Sequence, residues 1–192
     1  MTKKTLLIIG LGNPEKKYFQ TRHNAGFILL DELRKKWNLP TFSARKKFIA
    51  EISEGNIIHH LPTTLCLLTK PQTFMNFSGE AVKKIIDYYK LGTENIIVIH
   101  DDLDIEIGKW KISYGSSSGG HNGVQNIIDN LGTQNFFRIR IGVEKEGGRE
   151  KRGLISGEKF VLENLTTEEL EKIKKLADPI AEKIEEKIKK TD

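Results

Sequence analysis

Apolar positions along this chain switch between the periods of strands and helices. Thr5 to Leu11 is a continuous apolar run closed by glycine, the pattern of a central strand buried on both faces. Phe27, Leu30, Leu33 and Trp37 then recur at helical spacing behind Asn24, a suitable N-cap. Lys47 to Ile52, Asn56 to His59 and Thr64 to Thr69 predict short strands, with a turn at Glu54-Gly55-Asn56 between the first two. Val82, Ile85, Ile86 and Tyr89 share one face of a predicted helix over Glu80 to Tyr89. Ile96 to Ile99 predicts a second wholly apolar strand that stops at His100-Asp101-Asp102. A strand over Lys109 to Ser113, a loop over Gly115 to Gly120, a helix over Gly123 to Leu131 and a strand over Phe137 to Val143 follow. Glu144 to Ser156 is polar and glycine-rich, a loop. Thr166 opens the last helical segment, in which Pro179 either kinks the helix or starts a second one capped by Asp178. This alternation predicts one α/β sandwich over residues 1–192, with a mixed, mostly parallel central sheet covered by helices on both faces.

Composition alters that picture little. A chain of 192 residues with 38% hydrophobic and 30% charged positions is an ordinary soluble globular protein. No apolar stretch approaches the roughly 20 residues needed to span a bilayer, so no membrane role is expected. Lys3-Lys4 before Leu6 to Ile9 imitates a secretory signal, but the run is short and Gly-Asn-Pro stands where a cleavage site belongs. Cys66, the single cysteine, lies in an apolar run and reads as a buried structural thiol. A cytoplasmic location follows from these features. The formal charge of +5 suits a polyanionic partner without specifying one, because the basic residues are scattered.

Candidate chemistry gathers in four loops: Gly10-Leu11-Gly12-Asn13-Pro14, Thr21-Arg22-His23-Asn24, Thr73-Phe74-Met75-Asn76-Phe77 and Gly119-Gly120-His121-Asn122. Gly10-Leu11-Gly12 after a strand suggests a dinucleotide turn, but position 15 is Glu where that fingerprint needs glycine. His59-His60 and the His100 to Asp104 run invite a metal reading. Adjacent strand residues point to opposite faces, however, so neither pair converges on one ion, though Asp102 or Asp104 could supply oxygens; no metal or cofactor is expected. His23 beside a helix start is a candidate general base if Asp101 reaches it, since a carboxylate fixes the imidazole tautomer and leaves one nitrogen free. Asn13, Asn76 and Asn122 each offer donors and an acceptor without charge, suited to polarising a carbonyl or pairing with a peptide group. His121 is flanked by glycine and its role stays open. Arg138 and Arg140 share a strand face, which is either simply solvated or, for an arginine beside an active edge, a natural clamp for a terminal phosphate.

With those residues assembled, the chain resembles the bacterial-type peptidyl-tRNA hydrolases from about Leu6 to Leu162. Gly-Leu-Gly-Asn-Pro with Tyr18 downstream, Thr-Arg-His-Asn-Ala-Gly, Thr-Phe-Met-Asn-Phe-Ser-Gly, His-Asp-Asp-Leu-Asp, Gly-Gly-His-Asn-Gly and Arg-Ile-Arg-Ile-Gly-Val stand in order. The resemblance implies a monomeric, cofactor-free enzyme that cleaves the ester between a peptide and the 3′ end of tRNA, with no DNA partner. By motif, His23 would be the base, Asp101 its partner, and Asn13 a neighbour of the scissile ester. Met75, Asn76 and Asn122 would hold the peptide backbone, with Tyr18 and Phe74 walling the cleft. Gly120 would offer backbone contact, and His121 is grouped with these substrate-binding residues. Arg140 would meet the tRNA 5′-phosphate. Three departures stand out. Glu15 replaces a glycine usual after Asn-Pro, and Glu163-Asn164 stands where Gly-Lys is common. A lysine that partners the phosphate arginine aligns near Ser113, so Lys109 or Lys111 would have to substitute. The rival expectation is a non-catalytic RNA-binding relative, which would tolerate loss of His23 or Asp101; both are present.

Overall fold

The protein is described here by a computed structural model that covers residues 4–57 and 64–190. Seven strands form one sheet: β1 (Thr5–Gly10), β2 (Ser43–Arg45), β3 (Ala50–Ile57), β4 (Thr64–Pro71), β5 (Ile96–Glu106), β6 (Trp110–Tyr114) and β7 (Phe137–Glu144). Their order is β2-β3-β4-β1-β5-β7-β6. The central four run parallel and the outer pairings are antiparallel, so the mixed, mostly parallel sheet is borne out. The helices are α1 (Ala25–Lys36), α2 (Ser78–Tyr89), α3 (Asn122–Leu131), α4 (Arg149–Arg152), α5 (Gly157–Phe160), α6 (Thr167–Lys174) and α7 (Ala177–Lys190). Alternate residues of β1 face opposite ways, as the pleat requires. Leu6 and Ile8 join the core that α1, α6 and α7 cover; Leu7 and Ile9 join the core under α2 and α3. Cys66 is buried in the first of these cores, where burial pushes its thiol pKa up and keeps it unreactive.

Glycine lets α1 sit directly on the strand tips. A Cβ on Gly26 would lie 2.5 Å from both the Ile99 carbonyl and the Leu11 nitrogen, and one on Gly10 would lie 2.5 Å from the Gly26 carbonyl. Backbone therefore packs on backbone, and the turn that precedes α1 is carried to the C-terminal edge of β1 and β5.

Several boundaries differ from expectation. Glu54-Gly55-Asn56 is not a turn: β3 runs through it, paired with Leu67, Cys66 and Leu65 of β4. Gly55 serves close approach instead, since a Cβ there would meet Leu39 Cδ2 at 2.7 Å. His59 and His60 lie outside the described residues. β5 does not stop at Ile99 but continues to Glu106, because β7 goes on pairing with it (Asp101 with Ile141, Asp102 with Gly142). Asp101 thus belongs to a strand that projects past β1. Within 144–156, Glu144 closes β7 and Arg152 of α4 is buried against it at 3.2 Å. A separate last helix does begin near Pro179, but at Ala177, so Asp178 lies inside its first turn and pairs with Lys36 at 2.7 Å.

Candidate active site

The turn after β1 is held by side chains, not by its own backbone. Asn24 does not cap α1 with its side chain. Its carboxamide reaches across to Asn13, accepting from the Asn13 N–H (2.9 Å) and donating to the Asn13 carbonyl (3.0 Å). Asn13 in turn accepts the Met75 N–H on Oδ1 at 2.9 Å. Only an oxygen can accept there, so the amide orientation of Asn13 is fixed and its Nδ2 donors remain for a ligand. Met75 is buried, with its N–H committed to Asn13 and its carbonyl accepting from Ser78 Oγ at 2.8 Å. It supports the site as a brace.

Beside this turn, His23 Nδ1 donates to Asp101 Oδ1 at 2.8 Å. His121 Nε2 donates to the same oxygen at 2.9 Å, and its Nδ1 accepts the Val124 N–H at 3.3 Å as the N-cap of α3. Both nitrogens of His121 are therefore used within the protein, and its ring packs between those of His23 (centroids 5.0 Å apart) and His100. Burial opposes a charged His23, but the charge and hydrogen bond of Asp101 outweigh it and raise the imidazole pKa above its ordinary value. Burial would raise Asp101 too; His23 and His121 overcome that and hold it far below the usual carboxylate range. His100 packs edge-on to His121 with ring centroids 4.7 Å apart, and its Nδ1 donates to the Asp101 carbonyl at 2.7 Å. Burial, then the neighbouring His121, keep His100 neutral.

The atoms of His23, Asp101 and His121 that meet lie within 4.8 Å of one another, a spacing that would also suit a cation. The Val124 N–H needs the lone pair of His121 Nδ1, which puts the ring proton on Nε2, facing Asp101. The arrangement matches two N–H donors on one carboxylate better than a ligand cage. His100, Asp102 and Asp104 do not converge: Asp102 accepts the Asp104 N–H (2.9 Å) and turns toward Arg140.

His121 arrives by an unexpected route. β6 ends opposite the start of β7 (Tyr114 with Phe137), at the far edge of the sheet. The Gly115 to Gly120 segment then climbs back, held by buried Arg138, whose Nη2 donates to Ser116 O at 2.8 Å. Gly119 and Gly120 have φ of +62° and +82°, a backbone that needs glycine. Arg138 and Arg140 thus do different work. Arg140 Nε donates to Asp102 Oδ2 at 2.6 Å, and Lys111 stands directly across the β6–β7 pairing from it. Asn76 and Asn122 are exposed, Phe74 is 47% exposed, and Tyr18 is half-buried with Lys17 Nζ 4.8 Å from its ring centroid.

The family model described as "Peptidyl-tRNA hydrolase" matches residues 7–192. The chain belongs to that family. It is 40% identical over 186 residues to a peptidyl-tRNA hydrolase of Bacillus cereus (strain Q1), covering 96% of this chain and 93% of the relative. A Neisseria meningitidis serogroup C relative is 43% identical over 168 residues, covering 88% and 82%. The crystal structure of peptidyl-tRNA hydrolase from Acinetobacter baumannii superposes with a TM-score of 0.82 at 32% identity, covering 100% of this chain and 92% of that one.

Two of the three departures lose much of their weight. Glu15 has φ −76° and ψ 143°, an extended backbone open to any residue, and Lys17 neutralises it at 2.7 Å. Ser113 lies opposite buried Arg138, whereas Lys111 lies opposite Arg140, so the lysine two residues earlier is the better placed. Sequence reasoning did not foresee Asn24 as the partner of Asn13, Asp102 as the partner of Arg140, or the fixing of Arg22. A carboxamide beside a histidine at a helix start was the available signal for the first. The other two needed coordinates.

Proposed function

We propose that the protein hydrolyses the ester joining a peptide, or an N-acylated amino acid, to the 3′ end of tRNA, with His23 as general base. The observation that carries this reading is the His23 Nδ1 to Asp101 Oδ1 bond of 2.8 Å, which leaves the Nε2 lone pair uncommitted, together with the oriented Asn13 amide. A water gives its proton to Nε2 while its oxygen attacks the ester carbonyl. The imidazolium formed is stabilised by Asp101. Negative charge on the carbonyl oxygen is met by Asn13 Nδ2–H, a contact of a kind that contributes about 3–4 kcal/mol in other hydrolases. Collapse expels the ribose oxygen, which takes the proton back from Nε2.

His121 keeps Asp101 ionised and aimed, and Met75 keeps Asn13 aimed. Asn76, Asn122 and the Gly120 backbone pair with the first peptide group, between Tyr18 and Phe74. A free amine in place of that peptide group would leave the carboxamides unpaired and add a charge, so aminoacyl-tRNA is spared. Arg140 and Lys111 hold the tRNA 5′-phosphate. No metal takes part, the enzyme acts as a monomer in the cytoplasm, and neither DNA nor membrane is a partner. Among the described residues no helix is long and apolar enough to cross a membrane.

Purified protein incubated with N-acetylated and with free aminoacyl-tRNA tests the reading. The expected result is cleavage of the acetylated form alone, unchanged by EDTA. Equal cleavage of both forms, or silencing by EDTA, would overturn the peptide recognition or the metal-free chemistry respectively.

A further inference from the structure

The residues that carry His23 are strapped to a segment beyond the motifs of the resemblance. Leu165 N–H donates to the Gln20 carbonyl (2.8 Å), Arg22 N–H to Glu163 (3.0 Å) and His23 N–H to Val161 (2.8 Å), around an antiparallel bridge between Thr21 and Asn164. The strap has a side-chain reinforcement as well.

Arg22 supplies that. Its side chain is 3% exposed; Nη2 donates to both oxygens of Glu169 at 2.7 and 2.9 Å, and Nη1 donates to the Val143 carbonyl at 3.0 Å. The guanidinium lies 4.4 Å from the centroid of the Phe160 ring. Glu169 is itself the third residue of α6, bonded to the Thr166 N–H (2.9 Å) in a capping box. One carboxylate therefore closes the helix and grips the residue next to the base. Burying an arginine is costly, and an apolar side chain would fill the place with less penalty, so a plain packing role leaves the choice unexplained.

We propose that Glu169 is a positioning residue for the general base, acting through Arg22. This rests on the reading of His23 as that base. Glu169→Gln keeps an acceptor for the cap and loses the charged grip on Arg22; Arg22→Lys keeps the charge and loses the fork. Thr166→Ala weakens the same helix cap and leaves the grip in place. The measurements are steady-state hydrolysis of N-acetylaminoacyl-tRNA, thermal melting, and titration of the His23 ring by NMR. Glu169→Gln and Arg22→Lys are expected to lower kcat by about 10- to 100-fold, the scale set by small misplacements of a catalytic group. KM is expected to stay unchanged and the His23 titration to move. Thr166→Ala is expected to lower the melting temperature and leave kcat alone.

Wild-type kcat in Glu169→Gln, or a loss no greater than that of Thr166→Ala at matched destabilisation, would overturn the proposal. If Glu169→Gln does not fold, Arg22→Lys carries the same readouts. A wild-type protein inactive on the acetylated substrate would sink the reading of function. An active wild type, an inactive His23→Ala and an unaffected Glu169→Gln would sink only the role of Glu169.

Discussion

The buried cluster around Asn13 and Asp101, the floor of the proposed site, and the Arg140–Lys111 pair, its proposed charged rim, hold their polar groups in different ways. In the floor, Asn13 is buried and tied to Asn24 and Met75, and buried Asp101 receives two imidazoles. On the rim, Arg140 is tied by a single carboxylate, Asp102, and Lys111 is exposed. Dipoles fixed before the substrate arrives need no reorganisation during the reaction and so contribute to rate. Charges that face water are screened by salt and adapt to a phosphate, which suits capture. Mutations in the floor should therefore act on kcat, and mutations on the rim on KM and its dependence on salt.

The largest effect that sharpens this contrast belongs to Asp101→Asn. The amide oxygen can still accept the two N–H donors, but the negative charge that stabilises the imidazolium is gone, and kcat should fall by about a thousandfold or more, as when the carboxylate of a Ser-His-Asp triad is replaced. A substrate affinity that fell instead, with kcat intact, would break the division between floor and rim. Next comes Asn13→Ala, which removes the oriented amide; single-turnover rates should drop about 100- to 1,000-fold.

Acidity separates the same regions. As the proposed general base, His23 has to act unprotonated, so kcat/KM should fall as pH drops through its pKa, which Asp101 holds above the ordinary value despite burial. Stability should move the other way for this group. A raised folded pKa means that the charged His23–Asp101 pair stabilises fully below the unfolded value of about 6.5, and that this is lost as pH rises through the folded value. Asp101, depressed when folded, stabilises above its unfolded value of about 3.9 and loses this on acidification. Melting curves and rate profiles across the same pH series would check both signs. Replacing Asp101 by Asn should carry the kinetic limb to lower pH, since burial is then unopposed.

The smallest effects belong to the rim. Arg140→Ala and Lys111→Ala should each raise KM by about tenfold or less and lower the slope of log KM against log salt by about one. A salt slope unchanged in both variants would remove the phosphate clamp.

The sequence made the parallel core legible because β1 and the start of β5 are buried on both faces and carry unbroken apolar runs. It hid the continuation of β5 through His100-Asp101-Asp102, where polar side chains follow the needs of the site and only pairing with β7 reveals a strand. Gly55 misled in the same way, since a glycine that makes room for Leu39 looks like one that turns the chain. Among site residues, the loops that bear His23 and Asn13 were legible as turns at strand ends. The inward aim of His121 was not, because it depends on a segment that crosses back over Arg138. Nor was the bond from Arg22 to Glu169, which joins residues 147 positions apart.

His23→Ala under single-turnover conditions, with enzyme in excess over N-acetylaminoacyl-tRNA and binding of the tRNA measured alongside, tests the central claim most directly. Binding like that of the wild type, together with cleavage slowed by about a thousandfold or more, is the predicted outcome for loss of a general base. Cleavage at the wild-type rate by the bound complex would contradict it.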